Sequence, residues 1–124
     1  MASTATEPTL ENGSARYVAP SNGSAGTLAF TADARDHSGI RSLKVLVWSA
    51  SSKLDPTEAE LRSVESATCR SATAEMSHCT YTLRATKEEA AEMAWGTWYV
   101  SALVTAKGGD ATFVSRAAAF DVTR

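Results

Sequence analysis

Apolar and polar residues alternate in short runs along most of the chain, which is the pattern of β-strands with one buried face. In residues 27–33, Leu28, Phe30 and Ala32 lie on one face of such a strand. Residues 40–48 are apolar on both faces, which predicts a central strand or one whose outer face is covered. Further strands are predicted at 9–19, 64–69, 79–85, 97–106 and 111–123, the last with a bulge near Ser115 and Arg116.

Two short segments carry helix-capping residues in place of alternation. In the segment 55–58, Asp55 suits the N-cap, Pro56 suits the first turn, and the Glu58 side chain can accept a hydrogen bond from the backbone N–H of the N-cap residue. This capping box predicts a helix at about 55–62. The segment 86–89 repeats this chemistry and predicts a second helix at about 87–94, ended by Gly96. Neither helix is long enough to be stable alone, so both are expected to connect strands.

About seven short strands at these intervals are typical of an all-β, immunoglobulin-like antiparallel β-sandwich, here with two short connecting helices. The length of 124 residues indicates one domain. We therefore expect a disordered tail at 1–8 and a single sandwich domain at 9–124.

Two cysteines, Cys69 and Cys79, flank a polar segment, Arg70 to His78, that reads as a loop. A hairpin would bring them within bonding distance, so we predict a disulfide. The alternative is a pair of unrelated free thiols in a cytosolic protein, whereas a zinc site lacks two further ligands at useful spacing. A disulfide would indicate an oxidising compartment.

Charge and hydropathy argue against several classes of partner. The net charge is −2 and no basic stripe is visible, which disfavours nucleic acid. No apolar run approaches the roughly 20 residues that span a bilayer, so membrane insertion is not expected. The opening residues lack the basic and apolar regions of a signal peptide. We interpret them as the start of a mature secreted protein with an added Met; otherwise the protein is cytoplasmic.

Catalytic chemistry is not indicated by any motif. The histidines His37 and His78 fall in predicted loops, and no nucleophile elbow is present. Most glutamates belong to the two helices, where acidic first turns are favourable. Calcium is an alternative if Asp33, Asp36 and Asp110 meet at one end of the sandwich, although aspartates also simply form turns. We expect no enzyme, no cofactor and no metal.

Three aromatic residues form a candidate binding surface: Trp48, Trp95 and Tyr99. Such rings could stack on sugars. Trp48 faces away from Val45, and it is either exposed or covered by the 55–62 helix. Trp95 ends the second helix and is able to fold back onto the sandwich, whereas Trp98 is expected in the core.

Several segments resemble known families. Residues 33–40 and 96–102 resemble the turn after the second strand and the penultimate strand of bacterial immunoglobulin-like and fibronectin-type repeats. With Lys44-Val45-Leu46 followed by residues 56–60, the chain from about 10 to 124 is similar to a family of small secreted actinobacterial proteins of uncharacterised function. The resemblance implies secretion and a sandwich fold, and no activity. The two cysteines are too close in sequence for the inter-sheet disulfide of antibody domains.

We therefore expect a monomeric, non-enzymatic, extracellular interaction or structural domain. Its partner would be an unknown protein or a cell-envelope polysaccharide, contacted through loops at one end or an exposed sheet face. One alternative is a carbohydrate- or cell-wall-binding module that uses Trp48, Trp95 or Tyr99. Another is a secreted enzyme inhibitor that acts through the loop from Arg70 to His78, which contains Met76.

Overall fold

A computed structural model describes residues 7–21 and 23–122. The predicted all-β sandwich is confirmed: the described residues form seven strands in two antiparallel sheets, with two short α-helices. The strands are β1 (Thr9–Val18), β2 (Gly26–Arg35), β3 (Ile40–Ser49), β4 (Thr68–Ser71), β5 (Met76–Ala85), β6 (Gly96–Ala106) and β7 (Ala111–Val122). The helices are α1 (Glu58–Leu61) and α2 (Lys87–Glu92), and a 3-10 turn covers Ala50–Ser52.

The strand order places β1-β2-β5-β4 in one sheet, called here the first sheet, and β3-β6-β7 in the second sheet. This is the order of strands A-B-E-D and C-F-G in constant-type immunoglobulin domains. The β6–β7 hairpin turns at residues 107–110, where Gly109 has a φ of 104° that favours glycine.

The core lies between the sheets and follows the alternation read from the chain. In β2, buried and partly buried residues alternate from Gly26 to Ala34. The largest fully buried apolar side chains between the sheets are Phe30, Leu43, Val45, Val100 and Val104. The tail predicted at 1–8 falls mostly on residues 1–6, which lie outside the described residues. Pro8 is buried, and its carbonyl oxygen accepts a 2.7 Å hydrogen bond from Thr112.

The outer face of the second sheet is covered, which explains why β3 is apolar on both faces. Trp48 is only 4% exposed, and its indole N–H donates a 2.8 Å bond to Ser101 Oγ. Ser101 in turn donates to the Ser115 carbonyl at the bulge that was predicted in β7. The 3-10 turn and α1 pack on this sheet, and α1 buries Leu61 completely. The 3-10 turn and α1 therefore bury Trp48, the residue for which the sequence left exposure or covering open.

The first helix begins later than predicted. Its N-cap is Thr57, whose hydroxyl accepts from the Glu60 N–H while Glu60 reaches back to the Thr57 N–H. The prediction of Asp55 as the cap was wrong, because Asp55 has a φ of 42° and an N-cap residue needs extended backbone. In α2 the predicted capping residues Thr86 and Glu89 are confirmed.

The second helix also ends earlier than predicted. Its last residue is Glu92, because Met93 is already extended. Gly96, predicted to end the helix, instead begins β6 with a φ of 101°.

The predicted loop from Arg70 to His78 is mostly strand. Arg70 pairs with His78 and Ser71 with Ser77, which leaves a turn of residues 72–75 only. The preceding strand, predicted at 64–69, is divided: residues 65–67 hydrogen-bond to β3, whereas β4 starts at Thr68 and pairs with β5. The chain thus passes from the second sheet to the first near residue 67.

The predicted disulfide between Cys69 and Cys79 is confirmed. The two cysteines are direct cross-strand partners in β4 and β5, and Cys79 is fully buried. The bond therefore ties β4 to β5. Because β4 is an edge strand of only four residues, it can form few backbone hydrogen bonds itself.

Removing this bond should lower stability. For the Cys69→Ala/Cys79→Ala variant we expect a loss of about 2–3 kcal/mol in the free energy of unfolding, from the closure entropy of a short loop. Urea unfolding monitored by tryptophan fluorescence measures it. A reductant should destabilise the wild type and leave the variant unchanged; equal stability of oxidised and reduced wild type would contradict the prediction.

Truncating the α1 anchor should also be costly. Leu61→Ala leaves a cavity beneath α1 and should destabilise by about 2–5 kcal/mol. Leu54→Ala is the matched control, because Leu54 is 48% exposed and its truncation should change stability by less than about 0.5 kcal/mol. Similar losses for both variants would show that α1 does not seal the second sheet.

Candidate functional site

The outer face of the first sheet carries a row of hydroxyl groups across all four strands. Ser14, Thr31, Thr80 and Thr68 are successive cross-strand partners, one from each strand. Cross-strand partners project to the same side of a sheet. They alternate with the buried residues of β2 and β5, so they point away from the core. We call this set the hydroxyl row.

A charged row lies beside the hydroxyl row, made of Glu11, Asp33, His78 and Arg70. Asp33 is its centre. One carboxylate oxygen accepts from the Asn12 amide at 2.9 Å, and the other from the His78 Nδ1–H at 2.8 Å. These two bonds, that from His78 first, hold the pKa of Asp33 below its usual value. We call Asn12, Asp33 and His78 the Asp33 cluster.

A bulge in β1 aims Asn12 at Asp33. The register between β1 and β2 shifts between Glu11 and Ser14, and Asn12 has a φ of 56°, which asparagine tolerates better than most residues. The neighbouring Gly13 lies so close to β7 that a Cβ atom there would be 2.5 Å from the Ala117 carbonyl oxygen. Glycine is therefore required beside the residue that reaches the cluster.

A polar groove runs along β4 and β5 on this face. Thr68, Arg70, His78 and Thr80 line a space of about 340 Å³. Thr68 and Thr80 also line an adjoining space of about 370 Å³, whose other lining residues are Glu65, Ser66, Tyr81, Thr82 and Leu83. We call the two spaces together the polar groove. It lies where the chain crosses from the second sheet to the first and β4 begins.

Tyr81 fixes the far side of the polar groove. Its hydroxyl donates a 3.0 Å hydrogen bond to Glu65 Oε1. Desolvation, reinforced by this bond, raises the pKa of Tyr81 to about 12. The phenol therefore stays neutral at physiological pH and holds the crossing segment against β5.

The arrangement presents hydrogen-bond donors and acceptors, and the histidines of the described residues have carboxylates as their side-chain partners. Within residues 7–21 and 23–122, no hydroxyl hydrogen-bonds to His78 or His37, a contact that general-base activation of a nucleophile requires. Ser38, next to His37 in the chain, donates to Asp36 Oδ2 at 2.6 Å instead. Contrary to prediction, His78 lies on a strand, with Asp33 as its partner.

The three aromatic residues proposed as a binding surface are not equally available. Trp48 is buried, so of the two alternatives left open for it the structure has the covered one, and its ring is not at the surface. Tyr99 packs against Trp48, with ring centroids 5.1 Å apart, and the Arg116 guanidinium lies 4.4 Å from the centre of its ring. Trp95 is 62% exposed and follows α2. Trp98 packs against the core as expected.

The three aspartates considered for calcium serve other purposes or lie apart. Asp36 forms the predicted turn: its Oδ2 accepts from the side chain and backbone N–H of Ser38, and these bonds lower its pKa. Asp33 belongs to the cluster described above. Among the described residues, no group of three or more histidines, cysteines or acidic residues is arranged to hold a metal ion.

The loop proposed for enzyme inhibition is reduced to a turn. Met76, its candidate contact residue, is half-buried at the start of β5, and its sulfur accepts a hydrogen bond from Arg35 at 3.3 Å. No helix in the described part of the chain is long and apolar enough to cross a membrane.

The Asp33 cluster should make stability depend on acid pH. The native state keeps Asp33 ionised to lower pH than the unfolded chain does, so below about pH 4 the unfolded chain binds more protons and protonation favours unfolding. The contribution is present above that pH and is lost as pH falls. Asp33→Asn should flatten the decline in Tm between about pH 5 and pH 2.5. Asp110→Asn, in an exposed turn, is the control, and equal slopes for both variants would contradict this role.

The chain matches one family model. The match covers residues 10–104, from the second residue of β1 to near the end of β6, and includes both cysteines, the Asp33 cluster and the polar groove. No curated protein and no solved structure matches the chain. Because the matched range spans most of its length, the chain belongs to a family of unknown function, DUF5707.

Proposed function

We propose that this protein is a non-enzymatic, extracellular binding domain that contacts a polymer of the cell envelope through the polar groove and the hydroxyl row. The observation that carries the proposal is the contrast between the two sheets. The second sheet has its outer face covered by α1 and the 3-10 turn. Among the residues that the structure describes, the first sheet instead carries hydroxyl and charged side chains in cross-strand rows on its outer face.

Hydroxyl groups suit a partner that is itself rich in hydroxyls and amides. Each threonine or serine hydroxyl both donates and accepts, so it can match either polarity on a polysaccharide or a peptide cross-link. β-Branched side chains lose little rotamer freedom on binding, which lowers the entropic cost of forming a polar contact. The row of Ser14, Thr31, Thr80 and Thr68 is therefore better prepared for a flat, neutral partner than a lysine-rich surface would be.

The charged row would determine how a partner is oriented more than how strongly it is attracted. Asp33 is already satisfied by Asn12 and His78, and Arg70 stands across the strand pair from His78. At exposed positions such charges contribute little affinity, but they restrict which partner groups fit beside them. We infer a mainly neutral polymer with an occasional acidic group opposite Arg70.

Secretion and the absence of enzymatic activity are part of the same proposal. A disulfide between adjacent strands supports an oxidising compartment. The strand order supports placing the domain with immunoglobulin-like modules, in line with the resemblance to secreted actinobacterial proteins. A domain with this surface acts by adhesion or presentation, and we infer that it works as a monomer.

Co-sedimentation with purified cell-wall sacculi tests the proposal. The wild type should pellet with sacculi, and the Thr68→Lys/Thr80→Lys variant should bind about tenfold more weakly, because two long cations replace a pair of hydroxyls in the groove. The matched control is Ser42→Lys/Thr105→Lys, a half-buried cross-strand pair on the other sheet. It should bind as the wild type does.

Two outcomes would overturn the proposal. If the wild type stays in the supernatant with every envelope polymer tried, the partner is not an envelope polymer. If both double variants bind equally well, the surface is not the polar groove. Circular dichroism of each variant checks that the fold is retained.

A further inference from the structure

The edge of β5 that faces β4 is covered along only part of its length. The two strands pair no further than Thr68 and Thr80, whereas β5 continues to Ala85, and no other strand that the structure describes lies on this side of it. On its opposite side β5 pairs with β2 along its whole length without a shift in register. The residues from Tyr81 to Ala85 therefore form a stretch of open strand edge, which we call the notch.

The backbone hydrogen bonds of the β4–β5 hairpin show which groups of β5 face the notch. The Met76 carbonyl oxygen accepts from the Ala72 N–H at 2.8 Å, so the backbone groups of Met76 point towards β4. In an antiparallel strand the N–H and C=O of one residue point to the same side, and that side alternates from residue to residue. The backbone groups of Thr82 and Arg84 therefore point into the notch, whereas those of Leu83 point to β2. No hydrogen bond within the described ranges, 7–21 and 23–122, satisfies the backbone groups of Thr82 and Arg84 from the notch side.

The disulfide pair supports this alternation independently. The Cα atoms of Cys69 and Cys79 are 4.0 Å apart, close to the spacing of about 4.5 Å in cross-strand pairs whose backbone groups point away from each other. The odd-numbered residues of β5 thus direct their backbone groups towards β2, and the even-numbered residues direct theirs towards β4 or the notch.

The chain segment that precedes β4 does not fill the notch, because it is bound to the other sheet. Backbone hydrogen bonds of 3.0 and 2.8 Å join residues 65 and 67 to β3. Between this segment and β5 lies the part of the polar groove, about 370 Å³ in volume, whose lining includes Ser66, Thr82 and Leu83. Thr82, Leu83 and Arg84 are all exposed, so the notch is accessible from solvent.

Leu83 shows that the notch also lacks side-chain cover. It lies on the inner face of β5, on the same side as the buried Cys79 and the half-buried Tyr81, yet it is 37% exposed. It lines both the polar groove and an open space of about 250 Å³ between the sheets, to which Val47 and Met93 also contribute. An apolar side chain placed opposite Leu83 would remove this apolar surface from water, which is favourable.

We propose that the notch binds an extended peptide of a partner protein as an additional strand, antiparallel to β5 and continuing the line of β4. Alternating residues that offer both N–H and C=O are complementary to another extended backbone, which is recognition by strand addition. Peptide residues opposite Thr82 and Arg84 form the hydrogen-bonded pairs and project their side chains outward. The peptide residue opposite Leu83 projects inward and is apolar.

The shortness of the notch favours a single peptide over a second copy of this chain. β4 occupies the edge on one side of the notch, and on the other side the chain turns into α2 after Thr86. The outermost long strands of a folded copy, β1 and β7, have ten and twelve residues and would meet β4 or α2. The inference goes beyond the proposed function, because it rests on backbone groups of β5 and a protein partner, not on the hydroxyl row and an envelope polymer.

Titration with a synthetic peptide, followed by nuclear magnetic resonance, tests this inference. The probe alternates threonine and valine, is long enough to cover Tyr81 to Ala85, and ends in lysines that keep it in solution. We expect saturable binding that slows the exchange of the Thr82 and Arg84 amide protons, because these gain hydrogen bonds. The amide protons of Tyr81 and Leu83, which already face β2, should change little.

Methylation of the peptide backbone tests the hydrogen-bond pattern. The valines of the probe should point inward to Leu83, so its threonine N–H groups face β5. N-methylation of the threonines should therefore weaken binding about tenfold, whereas N-methylation of the valines should leave binding close to that of the parent peptide. Equal loss with both peptides, or the opposite order, overturns the assigned alternation.

A pair of variants at one position tests the notch itself. Thr82→Pro removes the N–H that faces the notch and should weaken binding about tenfold, since proline is tolerated where the strand N–H is not part of a ladder. Thr82→Val is the matched control, because it keeps the shape of the side chain and the backbone N–H, and it should bind as the wild type does. If circular dichroism shows that Thr82→Pro does not fold, the methylated peptides decide the question with the wild type.

Two results would overturn the notch as a site of strand addition. One is the absence of saturable binding of the parent peptide by the wild type, and the other is equal binding by a folded Thr82→Pro variant and Thr82→Val. The experiment with sacculi is interpreted separately. A wild type that pellets with sacculi but does not bind the peptide retains the proposed function and loses only this inference.

Discussion

The sandwich depends on one short segment, residues 65–71, that belongs to both sheets. Its first part hydrogen-bonds to β3 and so closes the exposed edge of the second sheet. Its last part forms β4 and closes the edge of the first sheet. The Glu65–Tyr81 hydrogen bond holds the first part and the Cys69–Cys79 disulfide holds the second. Because the chain joins the first sheet only at Thr68, β5 has no partner in β4 beyond Thr80, and the part of the polar groove that Tyr81, Thr82 and Leu83 line lies at this gap.

The outer faces of the two sheets differ in polarity, and they therefore differ in whether they need a cover. The second sheet needs a cover, because Trp48 and its neighbours are apolar; α1 and the 3-10 turn pack on it, and Ser101 satisfies both the indole and a carbonyl left free by the bulge in β7. The first sheet needs none, because its outward side chains are hydroxyls and charges that water solvates. The polar flat surface among the described residues is therefore the outer face of the first sheet.

Much of this architecture follows from local patterns in the chain. The strict alternation in β2 and the two-faced apolar run in β3 predicted strands correctly, because burial acts on each residue through its immediate position on a strand. The cap of α1 was misplaced by two residues, since Asp55 and Thr57 are both good caps and only the backbone at Asp55 decides between them. The segment from Met76 to His78 was predicted as loop because Ser77 and His78 are polar. A cross-strand pair at Cys69 and Cys79 already implies, however, that the next residues, Arg70 and His78, also face each other. The Asp33 cluster joins residues 21 and 45 positions apart, and only the register of three strands brings them together.

The bulge at Asn12 and Gly13 has a consequence beyond placing Asn12. It brings the backbone of β1 against β7, with Gly13 beside the Ala117 carbonyl, near the bulge of that strand. These are the outermost strands of the two sheets on that side, and each is ten residues or longer. By lying against each other at irregular positions, they shield the backbone groups that would otherwise recruit a strand from another molecule. The seam between the sheets thus covers two long strand edges that would otherwise be open to pairing with another chain.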